Sequence, residues 1–211
     1  MKRCLVFLIP LALAGWVLTD LLIPRQVNLR HFEPEEVARL DGAMWRSYYE
    51  KKPLLLFWQS ARLIREQMNA PFWRSFIIAY HAAKAAFLFK NGSSRLDYNQ
   101  ALPDLEAFYT AIGNLSDQPL NVTATARNEL EWWIIRRERK QHPPAEWAAL
   151  QAQIAADLYH IPVASCLKYG QLRTEAMVFR DHKGEAITES DWQHVDSLLN
   201  QSWQSLAKSL S

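Results

Sequence analysis

Two carboxylates stand beside adjacent tryptophans in the segment NELEWWIIRRER at residues 128–139. They are Glu129 and Glu131, and Trp132 and Trp133 follow the second one directly. A carboxylate that a fold buries must be paired, hydrogen-bonded or bound to a metal, because its desolvation is costly. Carboxylates in such surroundings also transfer protons and bind metals. This segment therefore contains the first candidates for chemistry.

A catalytic or metal site would need side chains from other parts of the chain as well. The candidates that we identify are Glu129, Glu131, Glu175 and His81. Helical bundles build di-metal sites from glutamates and from Glu-x-x-His pairs. The chain contains no Glu-x-x-His pair, so we predict no metal and no cofactor. The four residues remain candidates for catalysis by proton transfer.

The same charges also fit a structural network that fixes how helices pack. We predict that this network contains Glu131, Arg136, Arg173, Arg180 and Asp41. Ion-pair networks are common in folded proteins and perturb carboxylates without any catalytic role. We expect Glu131 to pair with Arg173 or, as the alternative, with Arg136. This structural interpretation is favoured over the catalytic one.

Apolar residues recur at spacings of three and four through most of the chain, which predicts helices. Prolines and short polar loops separate these segments, and no useful length alternates with the period of two that a half-buried strand requires. We therefore predict an all-α fold, with a single compact bundle of about eight helices over residues 34–211. Asn121 and Thr188 are predicted helix caps, because their side chains can accept a backbone hydrogen bond.

One predicted helix, from about residue 122 to 140, contains four consecutive apolar residues at 132–135. At about 100° per residue, these side chains point to every side of a helix. A helix that is apolar on all sides is normally buried. We therefore predict that this helix is central, with the others packed around it.

Two basic residues open the chain, and residues 4–23 then carry a single charge, that of Asp20. About twenty mostly apolar residues suffice for a helix that crosses a bilayer. We predict an uncleaved transmembrane or signal-anchor helix at residues 1–24, followed by a connector at residues 25–33.

Two other interpretations of the leader remain open. A signal peptide could be cleaved after Ala14, because Ala-Leu-Ala has the small-x-small form, or the segment could be a buried N-terminal helix. The positive-inside rule compares Lys2 and Arg3 with Arg25 and Arg30. Because the first pair lies closer to the span, we expect a single-pass membrane protein whose domain is on the extracytoplasmic side.

Composition narrows the classes of partner. The chain has 24 basic and 22 acidic residues, a net charge of +2, which gives no electrostatic basis for binding nucleic acid. Cys4 and Cys166 are far apart in sequence and form no zinc-binding spacing. Nine tryptophans suit cores, protein interfaces and membrane interfaces. We expect contact with the lipid bilayer through residues 4–23 and with a protein partner.

These patterns favour a membrane-tethered helical interaction or scaffold domain without catalysis. The alternative is a helical-bundle enzyme or ligand-binding protein, with a carboxylate and histidine site that could include a metal, around Glu129, Glu131, Glu175 and His81. The chain contains no phosphate-binding loop, dinucleotide fingerprint or nucleophile elbow. The sequence therefore inclines against an enzyme.

Overall fold

A computed structural model describes the backbone of residues 2–211 and the side chains of residues 9–211. Within this part of the chain the regular elements are helices, apart from one isolated bridge between Val27 and Ser116, and this confirms the predicted all-α fold. In chain order the α-helices are α1 (Lys2–Leu22), α2 (Pro34–Tyr49), α3 (Pro53–Met68), α4 (Phe72–Asn91), α5 (Arg95–Tyr98), α6 (Leu102–Gly113), α7 (Val122–Arg137), α8 (Pro144–Tyr159), α9 (Val163–Lys183) and α10 (Glu189–Leu210). Two single-turn 3-10 helices lie at Asn99–Ala101 and Gly184–Ala186.

Prolines mark the beginnings of several helices. Pro34, Pro53 and Pro144 each occupy the first turn of a helix, where the missing N–H is not needed and the fixed φ suits helical geometry. Asn69 and His160 end α3 and α8 in the left-handed conformation, each with a φ of 50°. These boundaries are therefore set by local sequence.

The two predicted caps are present. The side chain of Asn121 accepts a hydrogen bond from the Ala124 backbone N–H at 3.2 Å. Thr188 Oγ1 accepts the N–H of Asp191 at 3.2 Å, and the Asp191 carboxylate accepts the N–H of Thr188 at 2.9 Å, which completes a capping box. Each cap satisfies an N–H group that the first turn of a helix leaves free.

The larger helices form a closed ring in chain order. Each of α2, α3, α4, α6, α7, α8, α9 and α10 packs mainly against the helix before it and the helix after it, and α10 returns to pack against α2. Short connections favour this arrangement, because they place successive helices side by side. Inward-pointing side chains from distant parts of the sequence therefore meet in the interior.

Helices α8 and α9 approach each other closely at Gly170. A Cβ atom at this position would collide with the backbone oxygen of Ala148 and lie 3.1 Å from the backbone nitrogen of Ala152. The contact between the two backbones therefore requires glycine.

The helix predicted to be central corresponds to α7, and it is not buried on all sides. Leu130, Ile134 and Ile135 are buried, but α7 has five buried residues where α8, of the same length, has nine. Trp132 and Trp133 keep part of their surface exposed. The prediction is therefore wrong, and α8 is the more enclosed helix.

The C-terminal end of α1 is attached to the N-terminal end of α4. The carboxylate of Asp20, which is 4% exposed, accepts the backbone N–H of Trp73. Arg74 donates hydrogen bonds to the backbone oxygens of Asp20 and Ile23. Pro71, the N-cap residue of α4, offers no side-chain acceptor, so Asp20 of α1 takes the place of a local cap.

Helix α1 exposes apolar side chains along the part that the structure describes. Ile9, Leu11 and Leu22 are 69%, 70% and 71% exposed. Among the residues whose side chains are described, no helix is long and apolar enough to cross a membrane. Residues 4–8 of the predicted span lie outside those residues. The anchor at residues 1–24 therefore stays a prediction.

Candidate functional site

A buried ion pair joins α2 to α9 inside the ring. Arg173 donates a hydrogen bond to Oδ2 of Asp41, and the two side chains are 14% and 1% exposed. The indole Nε1–H of Trp203 on α10 donates to the same oxygen at 2.9 Å. Oδ1 of Asp41 is buried and finds no hydrogen-bond partner among the residues that the structure describes. Three helices are therefore connected through one carboxylate oxygen.

Aromatic rings surround the guanidinium of Arg173. Its central carbon lies 5.7 Å from the ring centre of Trp45, 5.6 Å from that of Tyr169 and 5.5 Å from that of Trp203. Burial alone would lower the pKa of Arg173, but the charge and hydrogen bond of Asp41, together with the neighbouring Tyr169 and Glu129, outweigh this effect and leave that pKa raised. The guanidinium is therefore a permanent buried cation that is stabilised by one carboxylate and three aromatic faces.

Glu129 is the candidate carboxylate that turns towards the interior. It accepts hydrogen bonds from the Tyr109 hydroxyl at 2.9 Å and from Nε1 of Trp133 at 2.8 Å. Burial raises the pKa of Glu129 above its ordinary value, and these hydrogen bonds offset the effect only in part. Burial and the neighbouring Glu129 also raise the pKa of Tyr109 well above its usual value. Glu129 is therefore the candidate best suited to hold a proton.

Glu131 lies on a different side of α7. It pairs with Arg95 at 3.2 Å, and both side chains are substantially exposed, at 42% and 50%. Residues two apart on a helix point about 200° apart, so Glu129 and Glu131 cannot both face the interior. The expected pairing of Glu131 with Arg173 or Arg136 is therefore wrong.

Arg136 and Arg180 belong to a second cluster, near the C-terminal ends of α7 and α9. Arg136 donates hydrogen bonds to Asp181 and to the hydroxyl of Tyr49, each at 3.0 Å. Arg180 lies over the ring of Tyr49, with 3.5 Å between its guanidinium carbon and the ring centre. The five residues of the predicted network are thus divided among three places, and Asp181 and Tyr49 were missed.

His81 lies at the surface of α4, beside a carboxylate that sequence analysis missed. Its Nδ1 is 3.4 Å from Oδ1 of Asp104, and Nζ of Lys84 is 3.0 Å from Oδ2 of the same residue. Asp104 is 6% exposed and lies in the first turn of α6. Only its position just after a helix-starting proline could have drawn attention to it. The hydrogen bond and charge of Asp104 raise the pKa of Lys84.

The four catalytic candidates do not form one site. Glu129 contacts Tyr109, Glu131 contacts Arg95 and His81 contacts Asp104, while Glu175 is exposed on α9. In the described part of the chain, no three His, Cys, Asp or Glu side chains are grouped so that they could hold a metal ion.

Two interior features are left as the candidate site. One is the Asp41–Arg173 pair with its aromatic surroundings, and the other is Glu129 with Tyr109 and Trp133. The ion pair holds the positive charge of Arg173 in a fixed position, and the Glu129 carboxyl can hold a proton. In comparisons with known proteins, no family model, no curated protein and no solved structure matches the chain.

Proposed function

We propose that the protein is a membrane-tethered helical interaction or scaffold domain, held at a lipid bilayer by residues 4–23. The observation that carries the proposal is the exposure of apolar side chains on α1, where Ile9 and Leu11 are about 70% exposed. Exposed apolar surface costs about 25 cal/mol per Å² in water. A lipid environment removes this cost, and the attachment of Asp20 to α4 then holds the bundle beside the bilayer.

The bundle is proposed to lie outside the cytoplasm. Arg30 donates hydrogen bonds to the backbone oxygens of Tyr159 and His160, at 2.9 and 2.8 Å, and so caps the end of α8. These bonds go to neutral carbonyl groups, so Arg25 and Arg30 still balance Lys2 and Arg3 in number. Lys2 and Arg3 lie directly beside the span, and this closeness favours a cytoplasmic N-terminus.

A structural role for the interior charges supports a scaffold. The Asp41 carboxylate contacts Arg173 and Trp203, and these contacts tie α2, α9 and α10 together. Contacts of this kind fix the positions of the three helices, and the backbone of most pre-organised interfaces moves little on binding.

Washing of membranes with alkaline carbonate tests the tether. The full chain should stay in the membrane pellet, and a variant with Leu11→Arg and Leu13→Arg should appear in the soluble fraction, because each arginine costs about 2.5–3.5 kcal/mol near the centre of a span. Leu96→Arg, at an exposed leucine of α5, is the control and should remain in the pellet. Release of the wild-type chain by carbonate would refute the tether, and loss of residues 1–14 from it would establish a cleaved signal peptide.

A second candidate function is ligand binding or proton transfer at Glu129. The observation in its favour is a half-buried carboxyl with a raised pKa that accepts two hydrogen bonds. Metal analysis of the purified protein tests whether the site at Glu129 holds a metal ion. Stoichiometric iron, manganese or zinc that is lost in Glu129→Gln but kept in Glu131→Gln would favour it over the scaffold.

A further inference from the structure

Helices α3 and α4 expose an unusual number of large apolar side chains. We call this surface the aromatic face; its residues are Leu54, Leu55, Trp58, Ile77, Tyr80 and Phe87, and all six are exposed. Leu54 is 82% exposed and Trp58 is 56% exposed. On α4, Ile77, Tyr80 and Phe87 are three and seven residues apart and therefore lie on one side of the helix. A grouping of this kind marks an interaction surface.

The aromatic face is continuous with α1 through a series of ring contacts. The ring of Trp58 packs edge-on against Phe76, with 5.0 Å between the ring centres. Phe76 packs against Phe72 at 5.2 Å, and Phe72 stacks on Trp16 of α1 at 5.4 Å. Trp16 also packs against Trp73 at 5.4 Å. A membrane that binds α1 would therefore also contact the edge of the bundle formed by these rings.

The position of Trp16 limits how much of α1 lipid can cover. A helix rises 1.5 Å per residue, so the stretch from Trp16 to Leu22 spans about 9 Å. If the bundle stayed clear of the bilayer, lipid would cover residues 4–15 alone, about 18 Å of helix. The hydrocarbon core is about 30 Å thick. Residues 16–22 must therefore enter the bilayer as well, and the bundle enters with them at Phe72 and Trp73, which contact Trp16.

Charges at the edge of the aromatic face suit an anionic lipid surface. Lys51 and Lys52 are exposed and directly precede the apolar residues of α3. Lys84 lies between Tyr80 and Phe87 on the same side of α4. Lys52 pairs with a glutamate and Lys84 with Asp104, so Lys51 is the cation in this group for which no ion pair is found among the described residues. Tryptophan and tyrosine with flanking lysines are typical of membrane interfaces.

We propose that the aromatic face lies in the headgroup region of the same bilayer that holds α1, with Lys51 and Lys52 against anionic headgroups. The inference rests on the proposed tether and adds an orientation to it: α3 and α4 face the membrane. The side of the ring formed by α8 and α9 then remains available to a protein partner.

Site-directed labelling of the full-length protein in vesicles that contain phosphatidylglycerol tests this orientation. An environment-sensitive fluorophore is attached to a cysteine that replaces Trp58 or, in a second protein, Leu55. Cys4→Ser removes the leader thiol, and Cys166 has no exposed surface and should not react. Leu167, an exposed leucine of α9, supplies the matched control position.

Labels at positions 55 and 58 should be quenched by nitroxide-bearing lipids and protected from iodide, whereas the label at position 167 should show the reverse. If the labels at 55 and 58 are as open to iodide as the control label, the inference is refuted. Protection from iodide without quenching by lipid would also refute it, because the face would then be covered by protein. A further label at Leu13 of α1 tests the tether separately. Quenching by lipid at position 13 alone refutes the orientation and keeps the tether, and no quenching there refutes the tether.

Charge reversal tests the lipid chemistry. Lys51→Glu with Lys52→Glu should lower lipid quenching at position 58 several-fold on anionic vesicles and leave it unchanged on phosphatidylcholine vesicles. Lys168→Glu with Lys208→Glu changes the charge equally at exposed lysines of α9 and α10 and should have no effect. Equal behaviour of the two double variants would overturn the assignment of anionic headgroups.

Discussion

Neutralising Asp41 should destabilise the fold far more than neutralising any carboxylate at the surface. In Asp41→Asn the side chain keeps its shape and an oxygen that can accept the Trp203 indole N–H, so the main change is the loss of charge, with an amide N–H group added at the unpartnered Oδ1 position. Arg173 remains charged and buried, because a guanidinium keeps its proton even without a carboxylate partner. Loss of one partner of a buried pair costs about 3–5 kcal/mol. We expect a value near 3 kcal/mol, since 14% of the Arg173 side chain is exposed.

Chemical and thermal denaturation of the full chain in detergent micelles, each followed by circular dichroism, measure this cost. For a chain of this size each kcal/mol lowers the melting temperature by roughly 2–4 °C, so the shift should be roughly 6–12 °C. Glu131→Gln is the matched control, because it breaks the exposed pair with Arg95 and should cost less than about 1 kcal/mol. If the two variants lose equal stability, the buried pair has no special role.

A double variant separates the value of the pair from the cost of breaking it. Replacing Asp41 by leucine and Arg173 by methionine removes both charges and leaves apolar side chains among the same aromatic rings. Such replacements are often neutral or stabilising, because desolvation of the two ions is no longer required. The double variant should therefore be more stable than Asp41→Asn. If it is less stable, the pair and the Trp203 hydrogen bond, which this variant also removes, together provide net stability beyond the avoidance of an unpaired charge.

Four further predictions concern single positions. Burial raises the pKa of Glu129 above its ordinary value of 4.5, so the folded state retains its proton to higher pH than the unfolded chain. The stability due to this proton is complete below pH 4.5 and is lost as the pH rises through the folded pKa. The melting temperature of Glu129→Gln should therefore rise relative to that of the wild type as the pH increases from 4.5. Gly170→Ala should destabilise the fold by about 1–3 kcal/mol through overpacking, as measured by denaturation. Gly15→Ala is the control and should not destabilise the fold in this assay, because a Cβ at that position meets nothing within 4 Å. Thr188→Ala removes a capping box and should cost about 1 kcal/mol in the same assay. Burial raises the pKa of the Cys166 thiol to about 11, so alkylation at pH 8 in a Cys4→Ser background should be at least about 100-fold slower in the folded protein than after denaturation.

The helix boundaries could be predicted because their determinants are local. Pro34 and Pro53 begin helices through the restricted φ of proline, and Thr188 and Asn121 act within three residues of themselves. Such signals do not depend on where the rest of the chain goes. They predicted the type of element correctly and about eight helices over residues 34–211, where the structure has nine, one of them the four-residue α5. They carried no information about which faces meet.

The partners of the charged residues could not be predicted, because they depend on the rotation of each helix about its axis. Arg173 is 132 residues from Asp41 in sequence. Glu129 and Glu131 look equivalent beside the tryptophans, yet one accepts the Tyr109 hydroxyl inside the ring and the other pairs with Arg95 at the surface. The pattern of residue types along one helix does not reveal which neighbouring helix presents a complementary charge.

The position of Asp20 links the fold to the proposed orientation at the membrane. A carboxylate within an apolar helix is costly in lipid unless it is paired or hydrogen-bonded. Asp20 meets this requirement by accepting the N–H of Trp73, and Arg74 fixes the backbone around it. The same contacts hold α1 at the N-terminal end of α4, so α1 cannot tilt freely with respect to the bundle. A membrane that receives α1 must therefore meet the bundle on the side of α4, where Ile77 and Tyr80 are exposed.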